Sequence, residues 1–245
     1  MTGSNGAIRT SWPGAKVPSD PGIMTGGGMD VCGRRDAGRN MDDRELIWEE
    51  INTESIVRDE WIDFRQSAYR YPDGKVYAPF YTYSKKDYAV IVASDEDGQY
   101  ICVRQFRQGI KEVTTEFPAG GIESADSRSA GENRREEDAP ECAGENRREE
   151  DALECARREL REETGYESSE WTHLLTIPSN ATICDNYAWL FMARNCRKTG
   201  EQHLDETERL NVLKLSADQI EERIRTGDFQ QAVHVLAWLL ARRNR

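Results

Sequence analysis

No run of apolar residues in this chain approaches the roughly 20 needed to cross a bilayer, and no apolar block follows Arg9 to serve as a signal peptide. A membrane protein is therefore not expected, and the chain reads as cytoplasmic. Histidine is scarce, with only His173, His203 and His234, none at metal-ligand spacing; His234 sits in an apolar stretch, where a packed histidine is the simpler reading. The six cysteines, Cys32, Cys102, Cys142, Cys155, Cys184 and Cys196, form no CxxC or Cys/His ligand pattern. That excludes zinc-ribbon motifs and favours reduced thiols in a cytosol over a disulfide scaffold. Positive charge is also in short supply. With 33 basic against 45 acidic residues the net charge is -12, which opposes nucleic-acid backbones and anionic membranes. It equally opposes an anionic substrate, so a diphosphate would need local Arg or Lys, or bound metal cations.

What is present suffices for a globular fold, since 245 residues at 37% hydrophobic can bury a core. Residues 1–40 hold nine of the 19 glycines and three prolines without a periodic apolar pattern, and are expected to be a disordered leader ahead of a domain at 41–245. Strand patterns follow: a meander over about 54–83 (ESIVRDEWIDFRQSAYRY, a turn at Pro72-Asp73-Gly74, KVYAPFYTYS), then DYAVIVAS and, past a turn at Asp97-Gly98, QYICVRQFR. A helix is predicted over about Glu149 to Thr164, stopped by Gly165 as a left-handed cap. Strands return at WTHLLTI, YAWLFMA and LNVLKLS, and helices are predicted at about Ser216 to Arg225 and Gln230 to Arg243. This order of elements is α+β. One stretch is unusual: AGENRREEDAPEC (Ala130 to Cys142) is repeated at once as AGENRREEDALEC (Ala143 to Cys155). Repetition this short reads as a recent tandem duplication, and Pro140 leads us to expect the first copy in a loop.

The second copy opens the stretch that carries chemistry. At 100° per residue, Ala152, Ala156 and Leu160 share an apolar stripe, while Glu154, Arg157 and Arg161 point to solvent. Glu159 and Glu163 fall at the edge of that stripe, pressed toward the interior. A Glu/Arg-rich helix is usually only a solvated face. Carboxylates at Glu159, Glu162 and Glu163, however, repel one another unless cations lie between them, and such oxygen ligands suit Mg2+, with Mn2+ possible.

Gly144, Glu150 and then Arg158-Glu159-Leu160-Arg161-Glu162-Glu163-Thr164-Gly165-Tyr166 match the Nudix box, G-x5-E-x7-R-E-U-x-E-E-x-G-U, with Tyr166 at a position where an aliphatic residue is common. The chain thus resembles the Nudix hydrolases. Val103-Arg104-Gln105-Phe106-Arg107, Glu116-Phe117-Pro118-Ala119-Gly120 and the acidic loop Asp205-Glu206-Thr207-Glu208 resemble the ADP-ribose pyrophosphatase branch of that family. The resemblance spans about Asp42 to Arg243. It implies a Nudix fold, a mixed β-sheet sandwiched between α-helices (α/β/α), and a metal-dependent enzyme.

Carried over residue by residue, the resemblance gives metal contacts to Ala119 (through its carbonyl), Glu159, Glu163 and Glu208. Catalytic roles fall to Glu206, as general base, and Glu162; substrate contacts fall to Arg107, Arg104 and Glu116. Pro178-Ser179-Asn180-Ala181-Thr182 with Asn186 resembles a segment that shapes substrate choice. In the branch, the glycine of Pro-Ala-Gly is also the first glycine of the box; here Gly144 fits the letter of the motif and Gly120 its setting at the end of a strand. The setting is preferred, which makes about 122–148 an insertion in the active-site loop. The implied reaction is hydrolysis of ADP-ribose to AMP and ribose 5-phosphate. Another sugar nucleotide or a dinucleotide as substrate, and a non-catalytic nucleotide sensor, stay open as alternatives. A homodimer is expected, because the strands from Glu54 to Tyr83 are rich in aromatics and the branch exchanges such strands between subunits. Trp48 and Trp61 could then offer a purine an aromatic platform.

Overall fold

The computed structural model describes residues 40–59, 61–123 and 141–244, with side chains from Arg148 onward in the last of these. Residues 1–39 of the expected leader and 130–140 of the first repeat copy lie outside the described residues. Two units are distinguished, Met1–Glu45 and Leu46–Arg245. In the described part of the first, a 3-10 turn begins at Asp43, and the Asp42 carboxylate accepts the Arg44 amide at 2.9 Å.

The second unit opens with an antiparallel sheet of β1 (Glu49–Arg58), β2 (Asp63–Arg70) and β3 (Val76–Ser84), in that order. The first strand starts earlier than the sequence pattern predicts, and ESIVRDEWIDFRQSAYRY is split in two. The split falls at Asp59, whose carboxylate accepts the amides of Trp61 and Ile62 at 2.8 and 2.9 Å and so turns the chain. Aromatic rings pair across this sheet: Trp48 stacks on Tyr71 at 4.2 Å, and Phe64 on Tyr81 at 5.6 Å. Every residue of β1 is nevertheless exposed.

The larger, mixed sheet comprises β4 (Tyr88–Asp95), β5 (Tyr100–Arg107), β6 (Glu112–Glu116), β7 (Ala119–Gly121), β8 (Tyr166–Glu167), β9 (Glu170–Pro178), β10 (Tyr187–Lys198) and β11 (Leu210–Leu215). Its central path runs β11-β5-β4-β10-β8, with β6 on β5, β7 on β4 and β9 on β10. The β4–β10 pair is parallel, and the rest are antiparallel. Alternation along β4 divides the core. Ala89, Ile91 and Ala93 pack with Ala152, Ala156 and Leu160 of α1 (Glu141–Thr164). Val90 and Val92 pack with Ile220 of α2 (Ala217–Thr226) and with Ala237 and Trp238 of α3 (Ala232–Arg243). Coverage on both faces explains why YAVIVAS is apolar almost throughout rather than alternating. The layers, helices on both faces of a mixed sheet, are α+β and are those the sequence resemblance leads one to expect. Among the described residues no helix is long and apolar enough to cross a membrane.

The helix expected from Glu149 begins at Glu141, so the second repeat copy lies wholly within α1 and residues 141–148 are helix rather than inserted loop. The Glu, Ala and Arg of this stretch are good helix formers, and once a helix is nucleated each further turn is inexpensive.

Candidate active site

Two buried acids of α1 define the site. Glu159 is 6% exposed and Glu163 is 3% exposed, against 0% for Ala152, Ala156 and Leu160 on the same helix. The edge of the apolar stripe is thus nearly as buried as its centre, because the short strand β7 runs over it. The Ala119 amide donates to Glu163 Oε2 at 3.1 Å, and β7 is fixed in turn by pairing Ala119, Gly120 and Gly121 with Val90, Ala89 and Tyr88. At Gly120 an added Cβ would lie 2.0 Å from the Glu159 carboxyl carbon. Any larger residue there would push that carboxylate out of its present position. Gly144, by contrast, lies within α1, so Gly120 is the glycine that serves the site.

The acidic loop is secured to the same end of α1. Gly165 ends the helix with φ +74, and a Cβ there would stand 2.2 Å from the Gly200 carbonyl oxygen. Thr199 donates to Gly165 O at 2.9 Å, Gln202 Nε2 to Glu163 O at 2.8 Å and the His203 amide to Glu162 O at 2.8 Å. The turn that follows is closed by the Glu208 amide on Asp205 O at 2.9 Å and the Asp205 amide on Glu208 Oε2 at 3.1 Å. Glu206 is exposed on this turn.

Electrostatics ties these elements together. Burial pushes the Glu163 carboxyl up to about 8, with Glu159 and Glu208 adding repulsion while the Ala119 amide and Arg107 oppose it. Burial likewise pushes Glu159 up to about 7; Arg158 opposes this, and Glu208 and Glu162 reinforce it. Glu208 thus acts on both Glu159 and Glu163, and Ala119 and Arg107 act on Glu163. Among the described residues no three such side chains already converge as metal ligands. Arg158 instead reaches Glu159 at 2.6 Å and Glu162 at 2.8 Å, and a cation binding here would compete with it for Glu159. The donor set fits a hard divalent cation in charge and atom type: carboxylates held from water with too little positive charge around them.

Arg107 and Glu116 form a second, balanced part of the site. Arg107 Nε lies 2.9 and 3.0 Å from the two oxygens of Glu116, and Nη2 completes the fork. Thr114 also donates to Glu116, and Gln231 approaches at 3.5 Å. Glu116 is 0% exposed. Burial is the strongest influence on its carboxyl and favours protonation, but the hydrogen bonds and charge of Arg107 and the Thr114 hydroxyl hold it below the ordinary carboxylate range.

Arg104 is not brought to this cluster. Three residues from Arg107 on an alternating strand, it leaves the opposite side and bonds Asp228 at 2.7 and 2.8 Å and Thr115 at 2.9 Å. Trp48, just before β1, and Trp61, in the turn between β1 and β2, remain 43% and 77% exposed. Sequence reasoning gave Arg158 no role, although its fixed place in the box was a signal. Gln202 and Gln231 carried no signal at all, because their contacts depend on tertiary approach. A cavity of about 320 Å³ is lined by Glu123, Asp151, Glu154, Cys155, Arg157, Arg158 and Arg161; Cys155 and Arg158 adjoin the acids.

A mixed sheet between helices, with paired acids of one helix buried under a Pro-Ala-Gly strand, defines the Nudix class of fold. A family model described as NUDIX domain matches residues 84–239, more than half of the chain. The chain belongs to this family and is a Nudix hydrolase. No curated protein matches it. A solved structure described as "Crystal structure of ADP compounds hydrolase" is similar in fold, with a TM-score of 0.62 and 19% identity over 80% of this chain and 92% of that one.

Proposed function

We propose that the protein is a divalent-metal-dependent pyrophosphatase that hydrolyses ADP-ribose to AMP and ribose 5-phosphate. The observation that carries this reading is the buried, under-neutralised pair Glu159 and Glu163 beneath the Ala119-Gly120 strand. Glu159, Glu163, Glu208 and the Ala119 carbonyl would hold Mg2+, or Mn2+ in its place. The cation, when bound, neutralises diphosphate oxygens and makes an attacking water more acidic. Arg107, oriented by Glu116, binds a phosphate of the substrate. Glu206 takes the proton of the attacking water, and Glu162 assists while it keeps Arg158 in place. A bond forms between the water oxygen and one phosphorus, and the bridging oxygen leaves with the other phosphate, giving two phosphomonoesters. The described neighbour's name, an ADP compounds hydrolase, supports an adenosine diphosphate derivative as substrate.

The working form is a cytoplasmic homodimer built through the β1–β3 sheet. Support comes from apolar side chains left in solvent there, including Trp48, Ile51, Val57, Val76, Tyr77 and Tyr81, each more than 40% exposed. A coupled assay of phosphomonoester release from a nucleotide panel with Mg2+ tests the activity. ADP-ribose should be the preferred substrate. Preference for another sugar nucleotide or a dinucleotide would replace the substrate, and binding without turnover would make the protein a sensor. Light scattering at micromolar concentration should give twice the chain mass; a monomeric mass with full activity would remove the dimer.

A further inference from the structure

His234 belongs to no step proposed above, yet it meets the site from behind. It lies in the first turn of α3, 3% exposed. Its Nδ1 receives the backbone amide of Phe117 at 3.2 Å. The amide needs a partner from outside the sheet. The β6 strand ends at Glu116, Pro118 carries no N–H, and the next amide, Ala119, is committed to Glu163. A buried amide left unmatched would cost about 1–3 kcal/mol, and the histidine ring satisfies it. On one side of this bond Glu116 grips Arg107; on the other Ala119 sits on Glu163. The same turn of α3 reaches Glu116 again through Gln231 at 3.5 Å.

From this geometry we infer that His234 is a positioning residue for hydrolysis. Neutral and bearing its proton on Nε2, it fixes the Glu116-to-Ala119 segment so that Arg107 and the Ala119 carbonyl keep their spacing across the site. An Nδ1 that accepts cannot also carry a proton, so the contact specifies both charge state and tautomer. Burial supports the neutral form, pushing the imidazole down to about 4. The inference rests on the hydrolase reading of the site, but its first test does not require turnover.

Long-range proton–nitrogen NMR of the full chain near pH 7 should show Nδ1 of His234 unprotonated and Nε2 protonated; the opposite tautomer, or a charged ring, would overturn the inference. In His234→Leu the Phe117 amide resonance should move, and kcat for ADP-ribose should fall on the order of 10- to 100-fold, as small misplacements of reacting groups do, with KM changed less than about threefold. His234→Asn, which can place an acceptor where Nδ1 was, should bring kcat back to within about threefold of wild type. Equal loss in both variants would mean that the ring only fills space. If the Leu variant does not fold, the tautomer and the Asn variant still decide: the wrong tautomer, or a normal Phe117 amide with lost activity in Asn, refutes positioning. A wild-type chain that binds nucleotides without hydrolysing them refutes the hydrolase reading and leaves the NMR result standing.

Discussion

Glu116 and Glu163 are both out of water, within one site, and in opposite condition. Glu116 has a guanidinium fork, a threonine hydroxyl and an approaching amide around it, and it stays ionised below the ordinary range. Glu163 has one backbone amide, the more distant charge of Arg107 and two other carboxylates, and its carboxyl is pushed up to about 8, chiefly by burial. A buried charge with its partner supplied by the chain is framework, and its loss disturbs the fold. One without a sufficient partner is a demand for a cation from outside, and its loss disturbs binding and chemistry instead.

The comparison is sharpened most by paired substitutions. Glu163→Gln, and likewise Glu159→Gln, should lower kcat on the order of 10²- to 10³-fold, the scale for removing a group that stabilises charge in the transition state. Glu163→Gln should not lower the stability of the metal-free protein in urea, because it removes a repulsion, and in Glu159→Gln the relieved repulsion should largely offset the lost contact with Arg158. Arg107→Met should do the reverse to the fold: it strands the Glu116 carboxylate, and a loss of about 3 kcal/mol is expected on breaking such a pair. A stable Arg107→Met variant would break the comparison.

A pH series makes the same point with smaller effects. Glu159 and Glu163 have folded-state values raised above those of the unfolded chain, so the metal-free folded protein binds more protons between about pH 4.5 and 8. Their contribution to stability is greatest below that window and is lost as pH rises through it. These two acids should therefore lower Tm from pH 5 to pH 8 without metal, and Mg2+ should raise Tm more at pH 8 than at pH 5. Smallest of all is the effect of Arg104→Gln. Its contact is the partly exposed pair with Asp228, so stability should fall by about 1 kcal/mol or less and KM should move less than twofold. A large KM increase would return Arg104 to the substrate.

The helix pattern made Glu159 and Glu163 legible in the sequence, since period 3.6 alone puts them at the border of the Ala152, Ala156 and Leu160 stripe. Gly120 was legible from its place after Pro-Ala, and its contact with Glu159 gives the reason: a side chain there would occupy the carboxylate's space. The start of α1 was not legible. The repeated stretch has too few apolar residues to show a face, and only helix propensity argued for it. Nor could the sequence divide Arg104 from Arg107, because charge pattern says nothing about which side of β5 meets Asp228. His234 read as a packed histidine and is packed, but its partner, the Phe117 amide, is a backbone group that no residue letter reveals.

On the proposed reading the under-neutralised acids, and not the paired one, take up the divalent cation. Titration of the full chain with Mn2+ at pH 8, followed by electron paramagnetic resonance, tests it directly. The account predicts saturable binding by wild type, binding weakened at least about tenfold in Glu159→Gln and Glu163→Gln, and binding retained in Arg104→Gln. Equal Mn2+ affinity in wild type and both Gln variants, or no saturable binding by wild type, would contradict it.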